Sequence, residues 1–138
     1  MQDLSLHLLD IMENSVEAGA RRIEARIAED VEADSIIFEV WDDGKGMDDR
    51  TLSKAADPFF TSRKKRRFGL GLSMLAEAAR VTGGQISIES SPGAGKSVRA
   101  SFRRSHIDVK PIGDIPETLM TLLCGHPEID LRRVDDRV

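Results

Sequence analysis

Hydrophobic and polar positions along this chain fall into segments with two different periods. Over residues 3–18, Leu8, Leu9, Ile11, Met12 and Val16 recur at helical spacing. The pattern predicts a helix, with Asp3 capping its start and Gly19 ending it. Over residues 22–28, Ile23, Ala25 and Ile27 alternate with charged residues, which is the period of a half-buried strand. An acidic turn over 29–34 leads into a second strand, 35–41, and the two make an antiparallel pair. Asp48 and Asp49 open a short helix that Asp57-Pro58 breaks. Leu72, Leu75, Ala76, Ala79 and Val81 give the next helix its apolar face, and Gly83-Gly84 ends it. Strands over 85–90 and 96–103 follow, joined by Ser91-Pro92-Gly93-Ala94-Gly95. Residues 105–138 read as a separate extension of unknown role. Asp114 and Glu117 stand three apart, as at a helix start. That helix runs to Cys124 and stops at Gly125, and Ile129 and Leu131 suggest a short strand after it.

Composition narrows the class. The chain has 138 residues, 40% hydrophobic and 32% charged, which suits one globular domain with its own core. No apolar run approaches the length that spans a membrane, and Met1-Gln2-Asp3 starts no cleavable leader, so the expected location is the cytoplasm. With one cysteine, an internal disulfide is excluded, and Cys124 is expected as a small buried residue near a helix end. The net charge of −4 argues against a general nucleic-acid binder. The charge is uneven, however, because Arg63-Lys64-Lys65-Arg66-Arg67 is a run of five cations.

Three stretches carry candidate chemistry. His7, Asp10, Asn14 and Glu17 share one face of the first helix, with Asp10 one turn from Asn14. An amide oxygen and a carboxylate stacked in this way can coordinate a hard cation such as Mg²⁺, and the same spacing also fits a plain solvated face. Val40-Trp41-Asp42-Asp43-Gly44-Lys45-Gly46-Met47 puts a carboxylate at the end of a strand, beside glycines that permit close approach. Such a carboxylate can accept from the exocyclic amine of a base, while Asp-Gly pairs are also ordinary turn chemistry. The basic run leads into Phe68-Gly69-Leu70-Gly71-Leu72 and then a helix, a plausible cradle for a polyphosphate. Gly93-Ala94-Gly95-Lys96-Ser97 is not a P-loop. Ser90 stands where the first glycine belongs, and the loop lies between strands.

Taken in order, these stretches resemble the ATP-binding domain shared by sensor histidine kinases, type II topoisomerases, Hsp90-type chaperones and MutL-type mismatch-repair ATPases. The free-standing anti-sigma-factor serine kinases are built on the same domain. The resemblance covers about residues 3–104. It runs through Leu9 to Ala20, then Asp42-Asp43-Gly44-Lys45-Gly46, then Asp57-Pro58-Phe59-Phe60 through Gly69-Leu70-Gly71-Leu72, and last Gly93-Ala94-Gly95-Lys96. It implies a two-layer α/β (α+β) sandwich: a mixed, mostly antiparallel sheet with helices on one face and an ATP lid. It further implies that Asn14 holds Mg²⁺ and that Asp42 accepts the adenine amine. Gly46 would let the base approach, and Gly69 and Gly71 would turn backbone N–H groups to the phosphates. Gly44, Met47, Phe60, Thr61, Arg67, Leu70 and Leu72 complete the implied ATP site.

Two departures stand out. Members that activate water, and the anti-sigma kinases, usually carry Glu four residues before the metal-binding Asn, whereas this chain has Asp10, one methylene shorter. Asp10 is therefore a candidate base with a longer reach to cover. The first glycine of the phosphate motif is Arg67. The resemblance implies a stand-alone Mg-ATP-binding domain that passes phosphate to, or regulates, a partner protein in signalling, and it leaves a homodimer open. The alternative is a nucleotide-responsive binding module with little turnover. A DNA-associated ATPase is favoured only by the basic run.

Overall fold

The computed structural model describes residues 4–46, 75–103, 105 and 114–137. The expected short helix after Asp48, the basic run, and the site residues Met47, Phe60, Thr61, Arg67, Gly69, Leu70, Gly71 and Leu72 lie outside the described residues.

Helix α1 is Leu4–Glu17, within one residue of the expected span at each end. Its buried stripe is Leu8, Ile11, Met12 and Ser15, spaced as one helical face. Gly19 stops it at φ +83°, where the Ala20 N–H turns back to the Ser15 carbonyl at 3.1 Å. Strand β1, Arg22–Asp30, and strand β2, Ser35–Asp42, form the expected antiparallel pair. The turn between them uses Asp34 at φ 53°, a conformation short polar side chains tolerate. Its carboxylate accepts from both the N–H and the hydroxyl of Ser105. Residues 75–81 are helical (α2). Strands β3, Gln85–Ser90, and β4, Lys96–Arg103, match the predicted bounds.

Helix α3, Ile115–Gly125, starts as its spacing predicts: the Asp114 carboxylate accepts from the Glu117 N–H at 2.9 Å. Two expectations for this segment need correction. Cys124 is exposed, because the buried side of α3 is Ile115, Thr118, Leu119 and Leu122, and Cys124 falls out of that phase. The short strand suggested by Ile129 and Leu131 is β5, Asp130–Arg137, eight residues long and parallel to β1. Its mixed charges conceal it from a hydrophobic pattern. An edge strand takes its support from ladder hydrogen bonds and tolerates charge. Opposite charges face across the ladder at Arg22 with Asp130 and at Glu24 with Arg132, which favours this register.

The sheet order is β3-β4-β2-β1-β5, antiparallel except for β1 with β5. One hydrophobic core joins Leu8, Ile11 and Met12 of α1, Leu75, Ala78 and Ala79 of α2, and Ile115, Leu119 and Leu122 of α3 to a single face of the sheet. The result is an α+β two-layer sandwich with its described helices on one side, as expected.

Candidate nucleotide site

On the helix-covered face, β2 and β4 meet as Ile36 with Phe102, Phe38 with Ala100, Val40 with Val98, and Asp42 with Lys96. Three of these pairs are apolar, and Phe38 and Phe102 pack edge to face at 5.5 Å. The last pair is ionic and nearly sealed from solvent, with Asp42 at 1% exposure and Lys96 at 7%. Lys96 Nζ stands 3.7 Å from Asp42 Oδ2. Burial pushes the Lys96 ammonium below its ordinary pKa, and Asp42 pulls the other way.

Asp42 is held firmly. Ser15 Oγ, on α1 beside Asn14, donates to Asp42 Oδ2 at 2.6 Å, and the Gly44 N–H donates to Oδ1 at 2.9 Å. The end of β2 is thereby tied to the last turn of α1. Lys45 N–H reaches the Ala18 carbonyl at 3.0 Å, adding a second tie between the same elements. Asp43 points elsewhere: it accepts from the N–H groups of Arg21 and Arg22, which hold its carboxyl below the usual pKa range.

The glycines of this corner serve backbone packing. A Cβ on Gly46, at φ +74°, would meet the Ser91 carbonyl at 2.1 Å, and one on Gly95 would meet the Asp42 carbonyl at 2.2 Å. A Cβ on Gly44 would meet the Ala18 carbonyl at 2.9 Å. Gly46 was expected to make room for a base, but its Cβ direction is taken by the neighbouring β3–β4 loop. The same loop donates from the Gly93 N–H to the Lys45 carbonyl at 2.7 Å. It lies between two strands, which bears out the rejection of a P-loop.

Asn14 is 6% exposed, and its Nδ2 has no hydrogen-bond partner among the described residues. A buried amide without a partner is costly unless something else completes it. A half-turn of the amide exchanges its nitrogen and oxygen, so the same position suits an oxygen ligand to a hard cation. Among the described residues no group of three His, Cys, Asp or Glu side chains is placed to hold a metal ion. An amide oxygen at Asn14 would suit a Mg²⁺ that takes its other oxygens from elsewhere. Asp10, one turn from Asn14, is half-buried. Burial raises its pKa most, His7 lowers it, and Glu13 raises it further. Glu13, one turn from Asp10, lies 2.8 Å from His126 Nε2, where the end of α3 meets α1.

The structure thus gathers Asp42 and Gly44 with the end of α1, and sets Asp10 and Asn14 on that helix. Sequence reasoning missed Ser15 and Lys96 as members of the site. Both had a signal, since Ser15 is in phase with Leu8 and Ile11, and Lys96 is in phase with Val98, Ala100 and Phe102. A cleft of about 420 Å³ beside Lys96 opens towards Trp41, Glu89 and Ser97. Those three residues alternate away from the core, so this cleft is not the base site.

Residues 2–106 match the family described as histidine kinase-, DNA gyrase B-, and HSP90-like ATPase. The chain belongs to that family. A putative sensor protein of Shewanella frigidimarina is 30% identical over 113 residues, covering 78% of this chain and 17% of the relative. The sensor kinase CckA of Brucella abortus is 38% identical over 86 residues, 62% of this chain and 9% of its own. Sensor histidine kinase YxdK of Bacillus subtilis is 37% identical over 73 residues, 50% of this chain and 22% of its own. The chain therefore spans less than a quarter of the length of each of these relatives. The Aquifex aeolicus MutL ATPase domain complexed with ADP shares the fold at a TM-score of 0.65, with 13% identity. It aligns over 99% of this chain and 61% of the MutL chain. The N-terminal domain of a DNA repair protein aligns over 98% of this chain and 49% of that one, at a TM-score of 0.67 and 16% identity.

Proposed function

We propose that this chain binds Mg-ATP at the corner formed by the end of α1 and the end of β2, and passes the γ-phosphoryl group to a side chain on a partner protein. The observation that carries this reading is the buried Asn14 side chain, whose Nδ2 has no hydrogen-bond partner among the described residues, on the helix whose neighbouring Ser15 holds the Asp42 carboxylate together with Gly44. Asn14 would hold the metal and Asp42 would accept the adenine amine. Gly69 and Gly71 would offer backbone N–H groups to the phosphates, with Arg67 as an added cation. Phosphoryl transfer needs mainly positioning and charge neutralisation, which such a site supplies. The sensor kinases among the relatives support a signalling role as part of the same reading.

A second reading is favoured by Asp10. Its carboxylate is one methylene shorter than the family's usual Glu, so it reaches an attacking water poorly. On that reading the chain is a nucleotide-responsive binding module with slow turnover. Incubation with γ-labelled ATP and cell extract separates the two: a labelled protein band supports transfer, and binding without label or released phosphate supports the module. The site itself is tested by calorimetry with and without Mg²⁺. Asn14→Ala should keep the fold and lose the magnesium dependence of ATP binding. An Asn14→Ala chain that still needs Mg²⁺ to the wild-type degree removes Asn14 from the metal site.

A further inference from the structure

Three of the four inward-facing pairs of β2 and β4 are apolar, and the fourth is Asp42 with Lys96. A buried ion pair is not a cheap way to finish a core, because apolar residues of similar size commonly serve stability as well or better. Among the described residues, the hydrogen bonds at this pair leave acceptor and donor positions unfilled. A carboxylate offers about four acceptor positions. The Gly44 N–H takes one on Oδ1 and the Ser15 hydroxyl takes one on Oδ2. Lys96 Nζ, at 3.7 Å from Oδ2, is close enough to balance the charge and too far for a well-formed hydrogen bond. Its ammonium carries three donors, and Asp42 is its ion-pair partner among the described residues. Among the described residues, an unfilled acceptor and an unfilled donor thus sit side by side, at a spacing set by the register of two strands. They suit a ligand edge that presents a donor next to an acceptor.

Adenine has such an edge, with its N6 amine beside ring nitrogen N1. We infer that Lys96 is a second base-reading residue: Asp42 accepts from the N6 amine while the Lys96 ammonium donates to N1. This rests on the Mg-ATP reading of the site. Guanine presents the two groups in the reverse order, O6 and then N1–H, so its O6 would face the carboxylate. The ion pair therefore reads the order of donor and acceptor along the base as well as the presence of an amine.

The test compares ATP with 1-deaza-ATP, in which N1 is replaced by C–H and the amine is retained. Both are titrated with Mg²⁺ into the full chain and into Lys96→Met. The wild type should bind 1-deaza-ATP about tenfold or more weakly than ATP, the scale of a lost hydrogen bond to a charged group. Lys96→Met should bind the two alike, and should lose a similar factor for ATP. Equal affinities in the wild type, or a wild-type preference that survives in Lys96→Met, would overturn the inference while leaving ATP binding in place. If Lys96→Met fails to fold, Lys96→Gln keeps a polar end in the pair, and its preference for ATP should shrink; an unchanged preference overturns the inference. A folded wild type that binds neither nucleotide overturns the Mg-ATP reading itself, and the role of Lys96 with it.

Discussion

The two ends of the β2–β4 ladder use one backbone register for opposite purposes. At one end Ile36 faces Phe102 under the helices, and at the other Asp42 faces Lys96 beside α1. The apolar end gains by excluding water and packing rings. The charged end bears the cost of desolvation, and its carboxylate is steadied by Ser15 and Gly44 instead of by packing. Phase along a strand decides which residues are buried. It does not decide whether burial serves stability or chemistry.

The sharpest test of that contrast is Phe102→Ala. Removing a fully buried ring should cost about 3–5 kcal/mol in unfolding free energy. Denaturant titration measures it, and a loss below about 1 kcal/mol would mean that this end is not core. Any Phe102→Ala chain that remains folded should keep its ATP affinity.

Asp42→Asn strikes the other end. It should lower ATP affinity by about 1.5–3 kcal/mol, the value of a hydrogen bond to a charged group, and leave a bare polyphosphate unaffected. An amide also turns a donor towards the adenine amine, which adds to the loss. Unchanged ATP affinity by calorimetry would place Asp42 outside the base site.

Much of this was legible in the residues. The phase of α1 gives its buried face, and alternation gives β1 to β4 within a residue or two. The motif order joins the end of the first helix to the end of β2 before any coordinates, and the Ser15–Asp42 hydrogen bond makes that join in the structure. The rest needed register. Alternation through Val98, Ala100 and Phe102 puts Lys96 on the buried face, but only the pairing of β2 with β4 names Asp42 as its neighbour. Gly46 shows a subtler limit: the sequence says that a side chain is excluded there, and the structure shows that the Ser91 carbonyl excludes it. Strand β5 was hidden because charged residues on an edge carry little hydrophobic signal. The approach of His126 to Glu13 was hidden because nothing local connects two positions so far apart in the chain.

The smallest expected effect is on pH dependence. Burial lowers the pKa of Lys96 from the ordinary 10.5, so the folded chain binds fewer protons than the unfolded chain between the two values. Stability must then rise with pH across that window: the penalty for a buried ammonium is in full force below the folded pKa and fades above it. The difference in unfolding free energy between wild type and Lys96→Met should climb as pH approaches 10.5. A flat difference would show that the ammonium is not desolvated, and would weaken the contrast between the ladder's ends.

Strand β5 gives the chain a particular order of assembly. β1 begins at Arg22, yet its outer neighbour is Asp130–Arg137. At a synthesis rate of about 5–20 residues per second, several seconds separate the two strands on the ribosome. For that interval β1 presents an open row of N–H and C=O groups, which other chains can pair with as readily as β5 can. Arg22, Glu24 and Arg26 stand along that edge, and their charges deter a mismatched strand. Arg22 and Glu24 later face Asp130 and Arg132 in the finished sheet, so the residues that guard the nascent edge also help select the strand that closes it.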